Sequence, residues 1–318
     1  MQIKVHFEEN FSLFREGENK IPDTVNKKFK GSYLSIFFIF KQKMKKNFPL
    51  LFLLFFKIVF SQENNEYSAF DFEKNTFQKI LIDKTKIRTT PNLNSTILDS
   101  LQTNQEIKII SRSNELTKIG ERDAPWFKIS YDKNGTPKEG YIWGGNIALG
   151  HRKYKDIQFL LGIASTQKVK DEIGNDFHNE IIARIIALKD QKVISERNFE
   201  MGSSENLNSY GFKILENKNL KNVDFIIHTY VSGDACAIPT YDQYFFWTNN
   251  SFYKLPKLTS VSDAGIFHYE ESYIFPNPKK VKANTILKII EKSETDENDK
   301  TKTSKKNKTY FWDGKNLK

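Results

Sequence analysis

The chain has 318 residues, enough for two ordinary domains, and 14% of them are aromatic with 27 Phe, a composition that suits sheet-rich packing. Its formal net charge is +10, but residues 1–61 hold 11 Lys/Arg against 5 Asp/Glu, so the rest carries 38 basic and 34 acidic residues, and a balance of +4 gives no electrostatic case for nucleic-acid binding. One cysteine, Cys236, excludes an intrachain disulfide, and neither it nor the histidines (His6, His151, His178, His228, His268) has the spacing of a zinc site.

Met44 opens a segment that reads as a secretion signal, MKKNFPLLFLLFFKIVFSQ. Lys45 and Lys46 supply the positive start, Phe48 to Phe56 the apolar run, and Val59-Phe60-Ser61 the cleavage region before Gln62. The run is shorter than the roughly 20 apolar residues of a membrane helix. No cysteine follows it to take a lipid. The expectation is a signal peptide at 44–61, a periplasmic or secreted protein and no stable membrane span after cleavage. Residues 1–43 precede the charged start and are expected to stem from a mis-called upstream start. Residues 62–78, polar with scattered rings, read as a linker.

From 79 to 150 short apolar runs alternate with turn chemistry. Strands are expected at 79–83, 105–111, 126–131 and 140–143, and turns at Thr90-Pro91-Asn92, Asp123-Ala124-Pro125 and Asp132-Lys133-Asn134-Gly135. The pattern suits a small closed barrel. Alternation places Phe127, Ile129 and Ile142 inside, and Trp126, Tyr141 and Trp143 on the opposite face, where with Tyr131 they form the candidate ligand surface.

In this stretch Ile87-Arg88-Thr89-Thr90-Pro91, Glu106-Ile107-Lys108-Ile109-Ile110, Trp126-Phe127-Lys128-Ile129 and Gly140-Tyr141-Ile142-Trp143 occur in an order and spacing that resemble bacterial SH3 domains. Lys86-Ile87 replaces the Asn that usually precedes the Arg, and the insert 113–123 is longer than typical. The resemblance implies an SH3-like barrel, with peptidoglycan or a peptide segment of an envelope protein as the partner class.

Residues 153–318 are expected to form a larger antiparallel β-meander domain, as a sandwich, an open barrel or a propeller-like array, so that the whole chain is all-β. Segments 180–188 and 192–200 read as a hairpin about Lys189-Asp190-Gln191. Residues 167–175 are the one short helix candidate. The aromatic hairpin at 244–254 is echoed at 309–318, where Asp313-Gly314 favours a type I′ turn. Residues 293–307 are charged, without apolar side chains, and read as a mobile solvated loop.

Chemistry concentrates in the loop 232–242 and near 262–271. Cys236 with His228 or His268 is the candidate nucleophile–base pair of a cell-envelope hydrolase. Against it, Cys236 leads into Ile238-Pro239-Thr240 rather than opening a helix. Asp234, Asp242 and Asp263 with His228 are candidate cation ligands, although single carboxylates in turns are usually turn formers. No phosphate loop or nucleophile elbow is present, and no cofactor is expected. The favoured function is therefore a non-catalytic exported binding protein. The alternatives are the Cys–His hydrolase and a structural protein whose barrel packs on its own C-terminal region, burying Trp126, Tyr141 and Trp143.

Overall fold

The computed structural model describes residues 69–170, 177–203, 209–233, 235–277 and 279–318, with backbone alone at 177–179. The expected upstream extension and signal peptide lie outside the described residues. The chain described is all-β, with one 3₁₀ turn, Gly144–Asn146. Among the described residues no helix is long and apolar enough to cross a membrane.

The first sheet holds β1 (Phe77–Lys79), β2 (Thr85–Arg88), β3 (Ile97–Leu101), β4 (Glu106–Ile119), β5 (Arg122–Lys133) and β6 (Thr136–Trp143), in the order β1-β4-β5-β6-β2-β3. Phe127, Ile129 and Ile142, placed inside by alternation, are fully buried, and Ile87 and Ile109 join them. Asp123-Ala124-Pro125, expected as a turn, lies inside β5. Pro125 faces Leu116 beside a register shift, a place where a missing N–H is tolerated. The expected linker is also corrected over its described part. Ala69, Phe70 and Phe72 are buried, and the Phe72 ring sits 5.2 Å from that of Phe127.

The second sheet holds β7 (Gly150–Tyr154), β8 (Ile157–Lys170), β9 (Phe177–Lys189) and β10 (Lys192–Ser203), in the order β10-β9-β8-β7. The helix candidate fails over 167–170, which continue β8, and its remainder lies outside the described residues. The hairpin about Asp190 and Gln191 forms as expected, both residues adopting positive φ (48° and 62°).

The third sheet is an antiparallel meander of β11 (Ser209–Glu216), β12 (Phe225–Ser232), β13 (Thr240–Thr248), β15 (Leu258–Asp263), β16 (Phe267–Ile274), β17 (Thr285–Thr295) and β18 (Thr301–Phe311), with β14 (Ser251–Lys254) beside one end of β13.

Both faces of the second sheet are covered. On one, Phe159 packs edge-on against Phe225 (5.5 Å), Trp247 (5.2 Å) and Phe252 (6.1 Å) of the third sheet. Such ring pairs contribute about 0.5–1.5 kcal/mol each beyond their burial. On the other, Leu160, Ile186 and Leu188 meet Leu81 and Ala148 from the barrel side. Gly162 makes room there, since a Cβ on it would lie 2.3 Å from Leu81 Cδ2. The largest apolar cluster therefore runs unbroken from Phe127 through Phe159 to Trp247. The barrel and the two later sheets belong to one compact unit, 67–318, with β7 beginning at Gly150 directly after the barrel.

The third sheet also curls. Flat strands stand about 4.8 Å apart, so β13 and β17, with β15 and β16 between them, would be separated by about 14 Å. Yet Ile226 and Phe246 of β12 and β13 share a buried cluster with Ile286 of β17 and with Trp312. One face of the meander thus folds onto itself.

The charged segment 293–307 is not a loop. It forms the far halves of β17 and β18, joined by a turn at 296–300. Cross-strand chemistry replaces burial here: Glu291 is ion-paired to Lys305, and Thr295 is hydrogen-bonded to Thr301. The 309–318 echo also differs from its expectation. Only Gly314 of the Asp313-Gly314 pair has positive φ, so the turn is not type I′; the Asp313 carboxylate instead accepts N–H bonds from Lys315 and Asn316. Trp247 and Trp312 lie in different clusters, which argues against a repeated unit.

His151 in β7 gives the fold a pH dependence. Burial lowers its pKa from the ordinary 6.5, and Lys79 and Arg152 push it the same way. The unfolded chain takes up a proton that the folded chain refuses, so stability contributed by neutral His151 is present above 6.5 and falls as pH drops through that value to the folded pKa. Urea midpoints measured from about pH 8 to 5 are expected to decline on acidification, and His151→Gln to flatten the decline.

Candidate binding face

Alternation along the curled meander collects one set of polar rings. On β12 and β13, His228 stands opposite Tyr244 and Tyr230 opposite Asp242. His228 Nε2 lies 2.5 Å from Asp242 Oδ1, and its ring stacks on Tyr244 at 4.3 Å and 6°. The curl then brings β16 and β18 to these side chains. Tyr273 is 5.7 Å from Tyr244 and 6.4 Å from Tyr310, and Phe275 is 5.5 Å from Tyr244. All four rings are half-buried rather than sealed.

Beside them, Glu271 joins three strands. It accepts the Tyr269 hydroxyl (2.8 Å) and the Thr259 N–H (3.1 Å), and pairs with Lys288 at 2.7 Å. The two charged side chains are only 11% and 12% exposed. Burial pushes the Tyr244 and Tyr269 phenols up to about 12, helped by Asp242 and Glu271 respectively, and raises Tyr273 further. These phenols stay protonated in any biological setting. In that state they can donate hydrogen bonds and present ring faces.

The other sequence candidates are placed elsewhere. His268 points to the opposite face of β16 from Tyr269, half-buried and 3.4 Å from Glu270. Cys236 is exposed in the loop before β13. Neither candidate pair, Cys236 with His228 or Cys236 with His268, is joined by a hydrogen bond among the described residues. Asp242 is taken by His228, Asp263 ends β15, and Asp234 lies outside the described residues. No three His, Cys, Asp or Glu side chains converge on a metal position among the described residues.

The expected aromatic ligand surface of the barrel is closed. Trp126 and Trp143 are each 2% exposed and Tyr131 is 5% exposed, while Tyr141 is half-buried. The long insert does the closing. As the outer part of the β4–β5 hairpin it folds over both indoles: Trp126 Nε1–H donates to Thr117 Oγ1 (2.8 Å), and Trp143 Nε1–H to the Thr117 carbonyl (2.9 Å). The Arg122 guanidinium lies 4.8 Å from the Trp143 ring and donates to the carbonyls of Gly145 (3.0 Å) and Ile163 (2.8 Å), tying the arm to β8.

Residues 83–148 fit the family model of the bacterial SH3 domain. The chain carries a bacterial SH3 domain. No curated protein and no solved structure matches the chain. The match stops short of β1 and of everything from β7 onward, so the ring face lies outside the SH3 domain. The signal of that face in the sequence is an alternation: Phe267, Tyr269 and Tyr273 recur along β16 with Glu271 among them, and Phe275 follows just past its end.

Proposed function

We propose that this protein is an exported, non-catalytic binding protein of the bacterial cell envelope, in which the SH3 domain and the two C-terminal sheets act as one scaffold. The face built from Tyr244, Tyr273, Tyr310 and the Glu271–Lys288 pair receives the partner, peptidoglycan or an envelope protein. Bacterial SH3 domains are binding modules associated with cell walls, which supports the envelope setting. One observation carries the site: four half-buried rings around paired charges on the inner side of a curl, where a packed core would have sealed them.

The test is co-sedimentation with purified sacculi. The wild-type protein is expected to sediment with them. Tyr310→Ala, which removes a ring at the rim of the cluster, is expected to weaken retention about fivefold, corresponding to about 1 kcal/mol for one stacked ring. Soluble muropeptides released by the wild type but not by Cys236→Ala would overturn the non-catalytic reading in favour of the Cys–His hydrolase. Export is checked by fractionation, since recovery of the chain from the cytoplasm with residues 1–61 attached would overturn it.

A further inference from the structure

We propose that β18 extends the ring face into a seat for an anionic linear polysaccharide, a refinement that rests on the binding reading above. Register fixes which β18 side chains look into the curl. Tyr310 stands opposite Ile286, Lys308 opposite Lys288, Lys306 opposite Ile290 and Lys302 opposite Glu294, and Lys288 in turn stands opposite Tyr273. Lys302, Lys306, Lys308 and Tyr310 therefore share the face that carries Tyr273.

The charges on this face are unevenly matched. Lys288 is paired to Glu271 and Lys292 to Glu294, but Lys302, Lys306 and Lys308 are exposed and have no carboxylate partner among the described residues. Lys308 instead lies over the Tyr310 ring, 4.9 Å from its centre. On the opposite face of the same strand, Lys305 is neutralised by Glu291. Lysines commonly guard an edge strand against pairing with other chains. Guarding needs charge but favours neither face, so it does not account for three unmatched ammonium groups on the ring side alone.

The geometry selects the occupant. Alternate residues on a strand repeat at about 6.8 Å, so Lys306 and Lys308 stand one such step apart and Lys302 two steps further on. A row of cations beside half-buried rings suits a polymer whose sugar rings stack while carboxylate or phosphate groups recur along it. A bilayer is a poorer fit, because a flat surface does not reach rings recessed in a curl. Nucleic acid is a poorer fit because residues 62–318 carry a balance of only +4.

Calorimetric titration of the purified protein with polygalacturonate, a carboxylated chain, tests the proposal, with neutral dextran as its control. Binding to polygalacturonate and not to dextran is expected, weakening steeply with salt. The exposed triple variant K302E/K306E/K308E is expected to bind about tenfold more weakly or worse, with an unchanged melting temperature. Equal binding of dextran, unaltered binding by the triple variant, or tighter binding to single-stranded DNA or phosphatidylglycerol vesicles would overturn the proposal. The sacculus assay separates the two readings. A triple variant that loses polygalacturonate but keeps sacculi upholds the anionic seat and places the wall contact elsewhere. A wild type that ignores sacculi yet binds polygalacturonate through these lysines removes the wall reading alone.

Discussion

Trp143→Ala is expected to lower the melting temperature by about 10 °C, from a loss of about 3–5 kcal/mol spread over a unit of some 250 residues. The indole is 2% exposed and fills the space between the barrel and the β4–β5 arm. Its removal opens a cavity, orphans the Thr117 carbonyl and takes away the ring beneath the Arg122 guanidinium. Arg122 also reaches the Ile163 carbonyl, so the damage spreads into β8. The whole unit is expected to melt in one lowered transition, because the barrel and the C-terminal sheets share an apolar cluster. Differential scanning calorimetry checks both statements. A variant that keeps its melting temperature but loses its partner would restore these aromatics as a ligand surface. Two separate transitions would mean that the SH3 domain folds apart from the rest.

The same residues show how far a sequence carries. Alternation alone places Phe127, Ile129 and Ile142 on one side of their strands, and all three are fully buried. Alternation also assigns Trp126 and Trp143 to the other side, correctly, but period two says nothing about what lies on top. Their cover comes from an insert whose fold depends on Thr117 and Arg122 finding distant partners. The charged hairpin of β17 and β18 was illegible for a related reason. Its strands are held by pairing between Glu and Lys and between Thr and Thr across the ladder, so no apolar pattern marks them. The ring face is an intermediate case. The alternating rings of β16 can be read in the chain, whereas the curl that brings Tyr244 to Tyr273 arises only when Phe246, Ile286 and Trp312 join one buried cluster.

The second large effect concerns the Glu271–Lys288 pair beside the ring face. Glu271→Gln is expected to destabilise the protein by about 3 kcal/mol, because it leaves the Lys288 ammonium charged and without a counter-ion in a site from which water is largely excluded. Lys288→Met strands the carboxylate instead. It is expected to cost less, since Glu271 keeps the Tyr269 hydroxyl and the Thr259 N–H. The double variant Glu271→Gln with Lys288→Met leaves no charge behind, and its loss is expected to fall well below the sum of the two single losses, by about 2 kcal/mol. Urea unfolding of the four proteins closes the cycle. Strict additivity would mean that solvent screens the pair. Coupling of the expected size would mean that Lys288 is already committed to Glu271, so that a bound anion must be met by Lys302, Lys306 and Lys308.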